Sequence, residues 1–141
     1  MADVLSTGYI NDNASPPVNH PPDEGGGRVR IWRDTYLQGA ADGSIGDVIR
    51  MKNLPAGARI LNARMHWGTG NTNETLQLGT SDDNDRFIGA TAAATAGSVD
   101  CNLHVLAGYK TTAETQVIVT NATAAIKAAQ RVTVEILYSI D

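Results

Sequence analysis

Three histidines are the first residues of this chain to test for chemistry, because histidine can act as a metal ligand or as a general base. His20 lies in the amino-terminal segment, while His66 and His104 fall in two different predicted strands. A zinc site usually includes a closely spaced pair of ligands, and no two of these histidines are close in sequence. The alternation of the strands places His66 and His104 on polar faces. The pattern therefore predicts no metal site.

Cys101 is the single cysteine, so the chain cannot form an internal disulfide. A lone cysteine with an inward parity in a predicted strand is most often a small buried residue. The sequence predicts no redox chemistry at this position.

The acidic run from Ser81 to Asp85 briefly resembles a calcium-binding loop. It lacks the order of ligands, the glycine and the later glutamate of an EF-hand, so it is predicted to be a solvated turn. Gly68 and Gly70 form a Gly-x-Gly that leads towards a strand and not into a phosphate-binding helix, so it is also predicted to be a turn. No nucleophile motif or carboxylate pair stands out. We therefore predict no catalytic residue, no cofactor and no enzymatic activity.

Composition narrows the class of protein further. The 141 residues suit one domain, and the net charge is −4. Arg28, Arg30 and Arg33 form the main basic cluster, which is too small to neutralise many phosphates, so nucleic acid is not an expected partner. No apolar run approaches the length of a membrane span, and the amino terminus lacks a secretory pattern, which predicts assembly in a cytoplasm.

The stretch from Gly46 to Ala90 predicts four short strands separated by three turns. Leu61, Ala63, Met65 and Trp67 alternate with polar residues, which predicts a strand with these four side chains buried. Pro55 and Gly57 provide the turn that precedes this strand.

Residues 1–27 contain four of the five prolines and a glycine triplet, and they predict an extended amino-terminal arm. The arm is interpreted either as a disordered tail or as a segment that becomes ordered on a partner by inserting Tyr9, Ile10 and Val18. Residues 28–141 form the predicted β domain.

The remaining segments extend the sheet. In residues 28–36 the large apolar side chains change from odd-numbered to even-numbered positions, which predicts a β-bulge or a strand that is covered on both faces. Alternation at 99–105, with Val99, Cys101, Leu103 and Val105 inward, predicts another strand. Residues 115–120 predict a strand covered on both faces, and 131–140 a strand with one buried face. Residues 121–130 predict one or two helical turns, while 91–97 fit helix, strand edge or loop.

About eight strands separated by turn residues predict an all-β sandwich or barrel. Eight strands fit the two four-stranded sheets of a jelly roll, so the prediction is a jelly-roll-like β-sandwich with an amino-terminal arm. An immunoglobulin-like sandwich is the alternative, although the Cys-Trp-Cys spacing is missing.

Three segments resemble a family of small structural proteins encoded with the head genes of tailed phages. They are LPAGARIL at 54–61, LQLGTSDDNDRFIGAT at 76–91 and RVTVEILYSID at 131–141. The chain is similar to jelly-roll capsid cement (decoration) proteins of this kind, one of which belongs to a Bordetella podophage. The resemblance spans roughly residues 46–140.

The resemblance implies a virion protein that binds the outside of the head, bridges major capsid protein subunits and is a homodimer, with a trimer as the alternative. We hypothesise that the arm and Arg28, Arg30 and Arg33 contact the capsid, since arginine suits carboxylate recognition. The alternative interpretation is that these arginines simply lie on the solvent-exposed face of the first strand. The competing function is a carbohydrate or host-surface binding module that uses Trp32 or Tyr36 with Tyr109.

Overall fold

The computed structural model describes residues 14–16, 28–101 and 109–140, and these residues include no helix. Among them, therefore, none is long and apolar enough to cross a membrane. They form eight β-strands, which are β1 Arg28–Leu37, β2 Val48–Leu54, β3 Arg59–Trp67, β4 Thr75–Thr80, β5 Asp83–Ala92, β6 Gly97–Asp100, β7 Thr115–Ala122 and β8 Arg131–Ile140.

The strands form two antiparallel four-stranded sheets, one in the order β1-β8-β3-β6 and the other in the order β2-β7-β4-β5. Strands β1 and β8, β2 and β7, β3 and β6, and β4 and β5 are neighbours, so the chain is arranged as one long hairpin wrapped into two layers. This strand order is that of a jelly roll. It confirms the predicted fold class and replaces the immunoglobulin-like alternative.

The core lies between the two sheets and takes every second side chain from the strands that bound it. On β8, Val132, Val134 and Ile136 are fully buried, and Tyr138 is nearly so. Trp67 on β3 is also buried, as its parity predicted. Strand β7 is buried along three consecutive residues, Val117 to Val119, which confirms the prediction of a strand covered on both faces.

One predicted core residue is wrong. Leu61 is 40% exposed, and its neighbour Ile60 is buried instead. The reason is a change of register between β3 and β8, where Ile60 pairs with Tyr138 but Asn62 pairs with Leu137. Leu61 is the extra residue of a β-bulge, which shifts the alternation by one residue.

The predicted bulge or double cover in the first strand is also wrong. Strand β1 pairs with β8 without interruption from Arg28 to Leu37. Trp32 is buried, whereas Val29 and Ile31 on the other face are 63% and 74% exposed. The change from odd to even positions therefore reflects two exposed apolar residues on the outer face of β1, followed by a buried tryptophan on its inner face.

Polar contacts close the sandwich where the edge strands β1 and β2 meet. The indole Nε1 of Trp32 donates a hydrogen bond to the backbone oxygen of Asn53 at 3.1 Å. The backbone N–H of Lys52 donates to the Asp34 carboxylate at 2.9 Å. Both contacts satisfy backbone groups near the register shift of β2, so this edge is held to the opposite sheet by specific bonds.

The segment 121–130 contains no helical turn, which contradicts the prediction. Thr123 and Ala129 have φ values of 64° and 58°, in the left-handed region. The Asn121 side chain donates hydrogen bonds to the backbone oxygens of Ser44 and Ala124, each at 3.1 Å. Long-range hydrogen bonding thus overrides the helix propensity of the alanines.

Residues 91–97, for which the sequence left helix, strand edge and loop open, are partly strand and partly loop. Residues Thr91 and Ala92 end strand β5, and the chain then turns into β6 at Gly97. Strand β6 ends at Asp100, one residue before the buried Cys101. The predicted strand residues Leu103 and Val105 lie outside the described part of the chain.

Candidate interaction surfaces

Among the described residues, no group of three or more His, Cys, Asp or Glu side chains is arranged to hold a metal ion. His66 lies on the outer face of β3, where its Nε2 is 3.9 Å from a carboxylate oxygen of Glu135. His20 and His104 lie outside the described residues.

Cys101 is 6% exposed, as predicted for a small buried residue. Its Sγ accepts a hydrogen bond from the backbone N–H of Ala63 at 3.2 Å and donates to Asn62 Oδ1 at 3.4 Å. Burial raises the pKa of the thiol. A thiol with a raised pKa carries little thiolate at neutral pH and is a poor nucleophile.

The acidic turn between β4 and β5 binds its own chain. The Asp82 carboxylate accepts hydrogen bonds from Thr80 Oγ1 at 2.6 Å and from Arg86 Nη2 at 3.0 Å. The hydrogen bond from Thr80 is the largest cause of the lowered pKa of Asp82. The turn prediction is confirmed for Ser81 and Asp82, where the Asp82 carboxylate fixes the hairpin, whereas the predicted turn residues 83–85 belong to strand β5.

The three arginines of β1 do not share a face. Arg28 and Arg30 have the parity of Trp32 and are exposed, while Arg33 lies on the opposite face, 3.5 Å from Glu135. The arm residues Tyr9, Ile10 and Val18 lie outside the described residues. A partner that contacts all three arginines would have to wrap around the edge of the sheet.

The aromatic residues proposed for sugar binding are poorly placed for stacking. Trp32 is 5% exposed. Tyr109 packs edge to face against Phe87 at a centroid distance of 5.9 Å, and the Arg86 guanidinium lies 4.5 Å from its ring. Tyr36 is half-buried. The described residues therefore offer no pair of exposed rings to a sugar.

The exposed large apolar side chains form two groups. The first, on the outer face of the β1-β8-β3-β6 sheet, contains Val29, Ile31 and Leu61. Leu37 has the same parity on β1 and lies on this face at the far end of the strand. The second group is Ile45 and Val48, of which Val48 lines a cavity of about 380 Å³ between β1 and β2. The cavity is lined by Tyr36, Asp47, Val48, Ile49, Arg50 and Ile126.

The sequence reasoning missed both groups, although the parity change in β1 was a signal for the first. Contiguous exposed apolar residues commonly mark interaction sites, whereas isolated ones do not. These two surfaces are the candidate functional sites of the described chain.

A buried carboxyl group lies at one end of the sandwich. Glu74 is fully buried, and its Oε2 accepts a hydrogen bond from the Asn71 backbone N–H at 2.9 Å. Burial raises the pKa of Glu74 despite this hydrogen bond, and nearby Asp42 acts in the same direction. Folding is therefore linked to the protonation of this side chain.

We expect the Glu74 carboxyl to make the protein less stable as the pH rises. The unfolded chain ionises Glu74 more readily than the folded chain does, so its contribution is largest below the unfolded pKa and is lost as the pH passes the folded pKa. Chemical denaturation of the wild type and Glu74→Gln between about pH 4 and pH 8 would measure this. The free energy of unfolding of the wild type is expected to fall relative to that of Glu74→Gln as the pH increases. A constant difference between the two proteins would contradict the prediction.

Comparison with known proteins shows the fold. No family model matches this sequence, and no curated protein sequence matches it significantly. A chain of the cyanophage Pam1 capsid asymmetric unit has a TM-score of 0.71 and 24% identity, over 92% of this chain and 97% of that one. A chain of the Ralstonia phage GP4 capsid has a TM-score of 0.68 and 19% identity, over 82% and 86%.

A chain from the acid-stable capsid of Helicobacter pylori bacteriophage KHP30 is a more distant likeness. It has a TM-score of 0.50 and 15% identity, over 80% of this chain and 94% of that one. The coverage shows that the likeness extends along nearly the whole of each phage chain. The protein therefore has a jelly-roll fold that also occurs in chains of phage capsids.

Proposed function

We propose that this protein is a structural capsid cement protein of a tailed phage, which binds the outside of the head and bridges major capsid protein subunits. The observation that carries the proposal is the likeness over 92% of the chain to a chain of the Pam1 capsid. The residues that resemble cement proteins, at 54–61, 76–91 and 131–141, support it independently. The specific relation to the Bordetella podophage protein stays a prediction.

The chemistry of the described residues suits a static role. The histidine, the cysteine and the acidic turn that could have done chemistry are each engaged within the protein: His66 lies near Glu135, Cys101 is buried, and Asp82 binds Thr80 and Arg86. The cement role needs no catalytic group. It needs a stable domain and a surface that binds neighbouring subunits many times on one particle, where modest contacts gain from repetition.

In this proposal the partner is the major capsid protein and the location is the capsid exterior, after assembly in the host cytoplasm. The contacts are assigned to the arm, through Tyr9, Ile10 and Val18, and to Arg28, Arg30 and Arg33 at the start of the first strand. The proposal includes a homodimer, with a trimer as the alternative, because repeated symmetric contacts match the symmetry of a head.

The test is co-sedimentation of the purified full-length protein with capsids that lack it. We expect saturable pelleting at a fixed ratio to the major capsid protein. A protein that stays in the supernatant at every concentration would overturn the capsid role. Deletion of residues 2–24 tests the arm separately, and unchanged capsid binding by the shortened chain would remove the arm from the proposal.

Charge reversal tests the arginines. We expect the double variant Arg28→Glu/Arg30→Glu to weaken capsid binding by about tenfold or more, because two cations that face the partner become anions. Both side chains are exposed, so the free energy of unfolding is expected to change by less than about 0.5 kcal/mol. Lys127→Glu, an exposed reversal between β7 and β8, is the control. Equal binding by the double variant and the control would contradict the assignment.

A further inference from the structure

One row of charged residues crosses the whole outer face of the β1-β8-β3-β6 sheet. Arg33 pairs with Glu135, Glu135 with Arg64, and Arg64 with Asp100. The sign alternates from strand to strand, positive on β1 and β3 and negative on β8 and β6. The Arg64 Nε lies 2.5 Å from Asp100 Oδ1 and the Arg33 Nε lies 3.5 Å from Glu135 Oε1. The four side chains are between 39% and 65% exposed, so their outer sides are open to a partner.

The next row along the strands is apolar. Ile31 pairs with Leu137, which lies opposite Asn62 and the bulged Leu61. Ile31 is 74% exposed and Leu61 is 40% exposed, and Val29 extends the patch further along β1 at 63%. The β-bulge turns Leu61 out of the core and adds it to this patch. One end of the face is thus apolar, and a fully paired charge row borders it.

We propose that this outer face binds the same face of a second copy of the chain, about a two-fold axis that runs parallel to the strands between β8 and β3. Such an axis keeps each row at its own level and reverses the order of the strands. Read from β1 to β6, the charges of one copy are positive, negative, positive and negative, and each of them then faces a charge of opposite sign on the partner. Arg33 lies opposite the partner's Asp100, and Glu135 lies opposite the partner's Arg64. In such a dimer the capsid contact assigned to the arginines is left to Arg28 and Arg30, which lie on the other face of β1.

The same operation brings the apolar row onto itself, so that Leu137 lies opposite the partner's Leu61. A two-fold axis perpendicular to the strands would instead place Arg33 opposite the partner's Arg33 if the charge row faced itself, and like charges face to face are unfavourable. The alternation of charge therefore selects one orientation. This self-complementarity is what an isologous interface requires.

The size of the face is sufficient for such an interface. The four strands β1, β8, β3 and β6 have 10, 10, 9 and 4 residues, so a strand spacing of about 4.8 Å and a rise of about 3.3 Å per residue give a face of about 520 Å². Two such faces would bury about 1,050 Å², close to the minimum of about 1,000 Å² for a specific protein interface and in the range of weak, reversible complexes. Aligned packing of two sheets face to face is also an ordinary arrangement of β-sheets.

This inference specifies the homodimer contained in the proposed function and rests on that part of it, but not on capsid binding. The experiment is sedimentation equilibrium of the full-length protein in the absence of capsids. We expect a concentration-dependent dimer for the wild type and a dimer dissociation constant at least about a hundredfold higher for Ile31→Asp, because the substitution enters the interface twice. Leu61→Asp, at a second position in the patch, is expected to act in the same direction.

Ala90→Asp is the control, since Ala90 is exposed on β5 at the edge of the other sheet, away from this face. It should leave the dissociation constant within about twofold of the wild type. Circular dichroism of each variant verifies the fold. A folded Ile31→Asp and Leu61→Asp that dimerise like the control would overturn the inference.

A charge exchange tests the axis. Glu135→Lys places lysine opposite the partner's Arg64 and should weaken the dimer at least tenfold. Adding Arg64→Glu restores opposite signs across the interface, so the double variant should recover most of the lost affinity. A double variant no tighter than Glu135→Lys would overturn the proposed orientation.

Capsid co-sedimentation separates the two proposals. A wild type that is monomeric at every concentration but pellets with capsids would overturn the second-copy inference and leave the cement role intact. If Ile31→Asp then lost capsid binding, the occupant of this face would be a capsid subunit. A dimer with the expected response to the variants and no capsid binding would support the inference and overturn the cement role.

Discussion

Replacing Gly79 with alanine is expected to lower the free energy of unfolding by about 3 kcal/mol or more, because the hairpin of β4 and β5 has no room for a side chain there. A Cβ at position 79 would overlap the backbone carbonyl of Asp83 and would lie 2.6 Å from the backbone oxygen of Asn84. These neighbours are backbone atoms, so a change of rotamer cannot relieve the overlap. The hairpin itself would have to move.

The matched control is Gly89→Ala on β5. A Cβ at Gly89 meets nothing within 4 Å, and the residue is exposed. Its effect is expected to stay within about 0.5 kcal/mol. Thermal unfolding should show the melting temperature of Gly79→Ala roughly 6 to 12 °C below that of the wild type, with Gly89→Ala close to the wild type. Equal melting temperatures for the two variants would contradict the close approach at Gly79.

Strands with one buried face were predictable from sequence because their alternation records the two sides of a sheet directly. Strand β8 shows this well, since Val132, Val134 and Ile136 alternate in sequence and are fully buried in the structure. The hairpin turns were also predictable, because Pro55 and Gly57 impose local backbone geometry, and Gly57 indeed has a φ of 78°. These features depend only on neighbouring residues.

Features that depend on the pairing partner were not predictable. The β-bulge at Leu61 exists because β3 pairs with β8, which is about 70 residues away in sequence. The alanines of 121–130 favour helix locally, yet the segment is held open by the contact of Asn121 with Ser44. Helix propensity of a few tenths of a kcal/mol per residue is readily overridden by such tertiary contacts.

The candidate surface shows the same limit more clearly. Arg33, Arg64, Asp100 and Glu135 belong to four strands from different parts of the chain, and only the jelly-roll order brings them into one row. The sequence predicted a cluster of Arg28, Arg30 and Arg33 because they are close in sequence, but alternation puts Arg33 on the opposite face from the other two. Sequence proximity on a strand therefore gave the wrong grouping, and strand pairing gives the right one.

Truncating the most central apolar side chain of β8 is expected to have an effect as large as that of Gly79→Ala. Ile136 has no exposed surface and pairs with Trp32 on one side and Ala63 on the other, so Ile136→Ala leaves a cavity in the core between the two sheets, beneath β8. Large-to-small substitutions of this kind cost about 2 to 5 kcal/mol, since both transfer free energy and packing contacts are lost. Small residues around the site, such as the fully buried Ala63, leave little side-chain volume to move into the space, which places the expected loss in the upper part of that range.

Urea denaturation measures this loss against Ile45→Ala, which removes the same atoms from a side chain that is 67% exposed. The control is expected to change the free energy of unfolding by less than about 0.5 kcal/mol. The comparison isolates burial, because the two substitutions are chemically identical and differ only in their surroundings. A loss of less than about 1 kcal/mol in the free energy of unfolding of Ile136→Ala would mean that the core between the two sheets is not closely packed around β8. Such a result would contradict the assignment of Ile136 to the inward face of β8.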